Sequence, residues 1–577
     1  MSFSPITNLD DDVVLKIFSF LQIPEILALR QRLSFLSVLI LLQTCRRFYL
    51  AGCLRIVWTD FLISEILSPG YPFPDVPLER LPARELERLV RRAHGLATRW
   101  RTNTLDPRTI GSVQMGTGTA PSAVRFLPGH DGRWLLTISK GIWSIATVWR
   151  VGARGGLRKA CEWSPRRALI DGFAVNKRPG CAFATLALSL RFQQDDRQVV
   201  QLLRLREEGE NVRLDELLND PLETNFRPTL LDGDILALSD DLTSTIILDW
   251  RLGVYATLEQ PHEEDSLLTH DNGVLVEFAR RSILVVRARS IHLFPAVELR
   301  PRDKEPFTYR PYASHSFGWV DGVAVQTFRR RGVSAPPLSI LIRSECDDPW
   351  TTDAHGLDLY TISPNPAASD SDEEADAPIS YPAAPYPGSA TTQTPSASNP
   401  APLSASQSPH APAVNQIPGA GRHPARVPPY LFPPVLAERF HSSRGALRCT
   451  DLVMGRCGTA VWVQPPDYSS AGLLFGNDDG RSLPNNVPSL NSHEAMMAGA
   501  FSGPLRREEG GEGLLSGDGR GGDTALPPAG AGVAPQTQHG LLLLQNPSND
   551  WTSLDYDEVL GRIAFGTSAG SVKVVQL

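Results

Sequence analysis

The chain has 577 residues, 42% hydrophobic and 21% charged, with a formal net charge of −7. At about 150 residues per domain that is several folded units, or one large unit with linkers. The mild charge and the shortness of the arginine clusters exclude a nucleic-acid footprint, and the composition is globular. Seven cysteines (Cys45, Cys53, Cys161, Cys181, Cys346, Cys449, Cys457) are scattered, with no CxxC pair and no histidine at metal-ligand spacing. Free thiols in a reducing compartment are expected, with no metal and no cofactor. The opening "MSFSPITNLDDDVV" has no basic n-region of a secretory signal, so the expected location is cytoplasm or nucleus.

Residues 1–62 read as compact and helical. In "LDDDVVLKIFSFL", Asn8 is the expected N-cap and Asp10, Asp11 and Asp12 suit the first turn. Leu9, Val13, Ile17, Phe18 and Leu21 recur at helical spacing. Pro24 opens a second helix, "PEILALRQ". The apolar run Leu33 to Leu42 follows, flanked on both sides by arginines; it is too short to span a bilayer, which takes about 20 residues. Residues 63–109 hold a Pro-rich connector and then "LPARELERLVRRAHGLATRW". There Leu86, Leu89, Val90, Ala93, Leu96, Ala97 and Trp100 form one apolar stripe.

From about residue 110 the period changes to strand. Apolar runs separated by turns fill 110–362, most clearly 123–151, 233–252 and 272–294, more weakly 181–205 and 355–362. Strands return in 429–467 and 537–577. Residues 363–428, rich in Pro, Ala and Ser with the acidic run "SDSDEEAD", and the Gly-rich 468–536 lack apolar periodicity and read as disordered insertions. Strand-turn-strand units at regular spacing point to radial repetition. Residues 110–577 without the insertions leave about 330 residues, room for about seven blades of about 40–45 residues. The terminal "VKVVQL" is expected to close the ring against an early strand. A pair of β-sandwiches is the competing architecture.

The unit "FLPGHDGRWLLTISKGIWSIATVWRV" resembles a WD-repeat blade, with Pro128, Gly132, Trp134, Leu135, Leu136, Ser139 and Trp149 in the family's places. In the last unit Gly561, Ile563, Phe565, Gly566, Gly570 and Val572 to Val574 do the same. The family's Trp-Asp pair is absent, since arginine follows both Trp149 and Trp250. The resemblance implies a degenerate β-propeller.

The N-terminal stretch resembles an F-box, through Leu9, Asp12, Val13, Ile17, Phe18, Leu21, Leu27, Leu29, Cys45, Arg46 and Phe48 in order. Asp10 stands where that family prefers proline. The resemblance implies docking on a Skp-family adaptor of a cullin ubiquitin ligase, carried here by Leu9, Val13, Ile17, Phe18, Leu21, Ile26, Leu27 and Cys45. The propeller would then hold an unknown protein substrate, with no chemistry in this chain and no membrane or nucleic-acid partner. The alternative is an interaction scaffold with no part in ubiquitination. Between the second helix and "TCRRFY" this chain carries an apparent insertion, residues 32–43. Two readings stay open for it: a longer helix packed on residues 81–100 or on a partner, or an in-frame segment such as retained intron.

The remaining motifs give no catalytic constellation. "GDGRGG" (517–522) has no strand before it and no helix start after it. "HEAMM" lacks a second histidine, His130 reads as a blade-turn residue, and Arg329 to Arg331 read as a solvated loop. Ser369 and Ser371, in the acidic run, read as part of a solvating tract. The expectation is a multidomain, non-enzymatic protein: a small α-helical unit, then an all-β propeller with disordered insertions.

Overall fold

The computed structural model describes residues 10–577 except 29–48, 117–118, 130–131, 153–155, 179–182, 210, 219, 261–272, 302–306, 328–335, 345–354, 369–378, 381–426, 443–446, 467–492, 502 and 507–539. Leu9, Cys45, the run 32–43, His130, Arg329 to Arg331, the acidic run and the GDGRGG segment therefore lie outside the described residues. No helix among those described is long and apolar enough to cross a membrane.

Seven four-stranded antiparallel meanders follow one another along the chain. From inside outward, blade 1 is Pro121–Phe126, Trp134–Lys140, Ser144–Val151 and Leu157–Trp163. Blade 2 is Ala168–Val175, Leu186–Phe192 and Gln198–Glu208, its outer edge shared by Asn211–Glu216 and Leu222–Glu223. Blade 3 is Arg227–Asp232, Ile235–Ser239, Ser244–Asp249 and Val254–Glu259, edged by Arg300–Pro301 and Thr308–Tyr309. Blade 4 is Gly273–Ala279, Ser282–Arg287, Ser290–Pro295 and Ala313–Ser316. Blade 5 is Val320–Thr327, Leu338–Ser344, His355–Ile362 and Val435–Ser442. Blade 6 is Leu452–Met454, Thr459–Gln464, Glu494–Ala500 and Leu541–Asn546. Blade 7 is Trp551–Asp557, Arg562–Thr567 and Ser571–Gln576, completed by Arg108–Gln114. The last strand does pair with the first, which closes the ring and removes the free edge.

Seven apolar clusters lie between consecutive blades, one at each junction including blade 7 with blade 1. Successive side chains on a strand point to opposite faces, so neighbours serve different clusters. Val285 packs between blades 3 and 4, and Leu284 between blades 4 and 5. Ile563 faces blade 6 and Ala564 faces blade 1. This is why second strands such as Ser282–Arg287 and Arg562–Thr567 are buried throughout and read as continuous apolar runs.

Three helices before the ring are described in full: α1 (Asp11–Phe18), α2 (Arg55–Phe61) and α3 (Ala83–Arg101). Residues 23–28 form a further helical turn. α1 begins later than expected: Asp10, not Asn8, is its N-cap, and it caps without a side-chain hydrogen bond. α2 runs on into a π-helical segment, Leu62–Leu67. Val14, Phe18, Ile23, Ile26, Trp58, Leu62 and Ile66 form a core with Leu86, Val90 and Ala93 of α3. The other end of α3 enters the cluster between blades 6 and 7 through Leu96, Ala97 and Trp100. One amphipathic stripe, legible in the sequence, thus binds the helical unit to the ring.

Candidate protein-binding face

The helical unit takes one face of the ring. Arg92 of α3 donates to the Leu560 carbonyl at 2.5 Å and to Gln576 Oε1 at 3.0 Å. The Cys457 thiol lies 3.4 Å from the Gly70 carbonyl oxygen. Leu560 and Cys457 both sit in turns joining the first and second strands of their blades. In an antiparallel meander the turns joining second to third strands lie at the opposite end. Among the described residues, that opposite face is free of the helical unit.

Every inner strand except that of blade 6 carries a register shift near its beginning, leaving Ser122, Asp171, Thr229, Val274, Asp321 and Thr552 as the extra residues. A bulge bends the strand and re-aims a side chain. These six residues lie toward the uncovered face. Two blades repeat the local sequence: Ile170-Asp171-Gly172-Phe173-Ala174-Val175 and Val320-Asp321-Gly322-Val323-Ala324-Val325. In blade 5 the aspartate has an internal partner. Arg343 lies opposite Gly322 and is only 2% exposed; its Nε donates to Asp321 at 2.7 Å, while Nη2 and Nη1 reach the carbonyls of Thr450 and Val463 at 2.8 and 3.1 Å.

In blade 2 the position opposite Gly172 holds the buried Ser189. Asp171 meets cations at the surface instead. Arg227 of blade 3 donates to it through Nε at 2.8 Å, Arg191 Nη2 lies 3.7 Å away, and Lys140 Nζ of blade 1 donates to its backbone carbonyl at 2.9 Å. Burial lowers the Lys140 pKa, partly offset by Asp171. Lys140, Gly141, Ser144, Leu169, Ile170, Asp171 and Arg191 line a small cleft between blades 1 and 2. Between the lining residues Gly141 and Ser144 the turn carries Ile142 and Trp143, which are 84% and 62% exposed at the edge of the cleft. The sequence reading passed over this site. The repeated Asp-Gly after an apolar residue and the Ile-Trp pair behind a turn glycine were its signals.

The expected site residues in α1 and its neighbours divide by burial. Phe18 and Ile26 are buried in the helical unit's own core. Leu21 and Leu27 pack against that core but are partly exposed, Ile17 is half-buried, and Val13 faces solvent. Phe20, Leu54, Ile56 and Ile63 are further exposed apolar residues of this unit.

Two blade residues named in the sequence reading separate as well. The Trp149 indole donates to Thr137 Oγ1 at 2.9 Å, two residues before Ser139. The Ser139 hydroxyl is buried with no hydrogen-bond partner among the described residues. Glu494 to Met497 of "HEAMM" lie on the strand Glu494–Ala500, with His493 in the bend before it, so these residues do not share a helix face. Among the described residues no group of three or more metal-ligating side chains occurs.

A partly buried ionic network ties blades 6, 7 and 1. Arg125 Nη2 donates to Asp451 at 2.7 Å, Ser553 Oγ and the Leu554 amide donate to the same carboxylate, and the Phe126 amide donates to Asp555 at 2.6 Å. Burial alone would raise Asp451, but Arg125 overcomes it and holds the pKa below the usual carboxylate range. Asp555, which gains less from Arg125 and faces Asp451, is pushed up by burial to about 6.

No protein-family model matches this chain, and no curated protein matches it in sequence. Among solved structures it is similar to the WD40 domain of Neurospora crassa Pan2, at 8% identity and a TM-score of 0.37, over 82% of this chain and 95% of that one. The blade count rests on the strand pairing itself: the chain is a seven-bladed β-propeller, an architecture suited to binding other proteins.

Proposed function

We propose that this protein recruits a substrate to a cullin ubiquitin ligase, its helical unit docking on a Skp-family adaptor as an F-box and its propeller holding an unknown protein. The observation that carries this reading is the division of faces: a helical unit with its own core is fixed to one face of the ring by α3, and none of the unit's described residues covers the other. The ordered F-box-like residues and the exposed Val13, Phe20, Leu54 and Ile56 support adaptor docking. The mechanism is proximity: a substrate held on a rigid ring beside a ligase meets it at a raised effective concentration. A second reading, favoured by the burial of Phe18 and Ile26 inside the chain, is an interaction scaffold with no ubiquitination role.

The test is affinity purification of the full chain and of Ile17→Asp and Leu21→Asp. Adaptor and cullin recovered with the wild type and lost with both variants supports the first reading. Recovery unchanged in the variants, or no adaptor with the wild type, overturns it and leaves the scaffold.

A further inference from the structure

We infer that the cleft between blades 1 and 2 docks a linear segment of a partner protein in which a carboxylate residue lies beside an aliphatic or aromatic one. The inference specifies where the propeller of the proposed function takes its protein, and rests on that reading only in taking the propeller as a protein binder. Singly exposed apolar residues are ordinary on protein surfaces. Here two adjacent ones occupy the tip of a three-residue turn, and one is tryptophan, which supplies a large rigid contact area and is enriched among residues that dominate binding. Neither is needed to close the turn, in which the Gly141 amide donates to the Trp143 carbonyl at 3.2 Å.

The charge in the adjoining cleft selects the partner. The lining itself carries Lys140 and Arg191 against one carboxylate, Asp171, and that carboxylate is already engaged by Arg227. Arg227 also meets Asp241 at 3.3 Å. Arg191 reaches its two carboxylates, Asp171 and Asp196, only at 3.7 Å, and Asp196 is 86% exposed. With its amide oxygen turned toward Arg191, Gln198 accepts from Nη2 at 2.7 Å and Nε at 3.0 Å, which orients the guanidinium without neutralising it. Arginine is the side chain best matched to a second, bidentate carboxylate. The blade 5 repeat is an internal comparison: there the equivalent aspartate is satisfied by a buried arginine. In blade 2 the aspartate is exposed to a similar degree, but its arginine partners are half-exposed and reachable from solvent.

The experiment selects linear dodecapeptides from a random phage-displayed library on the full-length chain, on Arg191→Glu and on Trp143→Ser. Both substitutions are at exposed positions, and circular dichroism and melting curves confirm that the folds are equal. Wild type is expected to enrich peptides with Asp or Glu next to Leu, Ile or Phe. Arg191→Glu should lose the acidic preference, and Trp143→Ser the apolar one. Synthetic versions of the enriched peptides should bind each variant roughly ten-fold or more weakly than wild type. Enrichment of basic peptides, identical enrichment on all three proteins, or no enrichment on wild type overturns the inference. Adaptor recovery is measured on the same two variants; its persistence shows that a failure here is separate from the fate of the ligase reading.

Discussion

A Cβ placed on Gly561 would lie 2.8 Å from Cδ1 of Leu96, so the turn of blade 7 and helix α3 meet at a point where only glycine fits. The glycine also has φ of +55°, a left-handed backbone that side chains disfavour. Gly561→Ala is therefore expected to cost about 2–4 kcal/mol, from strained backbone and overpacking together. Gly95, on the same helix, has nothing within 4 Å of an added Cβ. Gly95→Ala should stabilise by up to about 1 kcal/mol. Urea unfolding of the two variants checks both signs, and equal effects would disprove the contact argument.

Arg343 should be more costly to lose than Arg191. Arg343→Ala leaves Asp321, the buried Val463 carbonyl and the more exposed Thr450 carbonyl without their donor, and about 3–5 kcal/mol of destabilisation is expected. Arg191→Ala, with its side chain 42% exposed, should change stability by no more than about 0.5 kcal/mol. Melting temperatures of the two variants decide the ranking.

The Trp149–Thr137 hydrogen bond crosses from the third strand of blade 1 to the second, with both residues buried. A cycle of Trp149→Phe, Thr137→Val and the double variant should give a coupling of about 0.5–1.5 kcal/mol. A coupling of zero would mean that the indole contributes by packing alone.

Asp555 predicts a pH dependence. Its folded pKa, about 6, lies above the ordinary value of 3.8, so between those values the folded state binds the extra proton. Its contribution to stability is present below pH 3.8 and is lost as pH rises through about 6. Asp451, held low by Arg125, acts in the opposite sense, and its contribution is lost as pH falls below its ordinary value. Asp555→Asn removes only the first effect. The difference in melting temperature, variant minus wild type, should therefore rise from pH 4 to pH 6.5; a flat difference would show that Asp555 titrates normally.

What could be read in the sequence follows the length scale of the pattern that encoded it. The stripe from Leu86 to Trp100 is local and periodic, and all seven of its residues are buried. Strand runs were legible for the same reason. Blade boundaries were not, because pairing is non-local. Val435–Ser442 lies beyond the Pro-rich stretch yet completes blade 5 against His355–Ile362. The expected Gly-rich insertion 468–536 is corrected in part: Glu494–Ala500, inside it, is the third strand of blade 6, paired on both sides with Thr459–Gln464 and Leu541–Asn546. The uncovered-face cleft escaped for another reason. Asp171, Arg191, Arg227 and Lys140 come from three blades, and only the strand register shows that Ser189 has taken the place of an internal arginine.

The pairing of Arg108–Gln114 with Ser571–Gln576 also sets a timetable. Arg108 meets Gln576, so a ribosome adding about 5–20 residues per second takes roughly 20–90 seconds between making the first strand and its partner. Throughout that interval Arg108–Gln114 is an unpaired edge of the kind that invites wrong pairing. Six blades can be assembled before the seventh closes, and the nascent protein spends its synthesis as an open arc with one adhesive end.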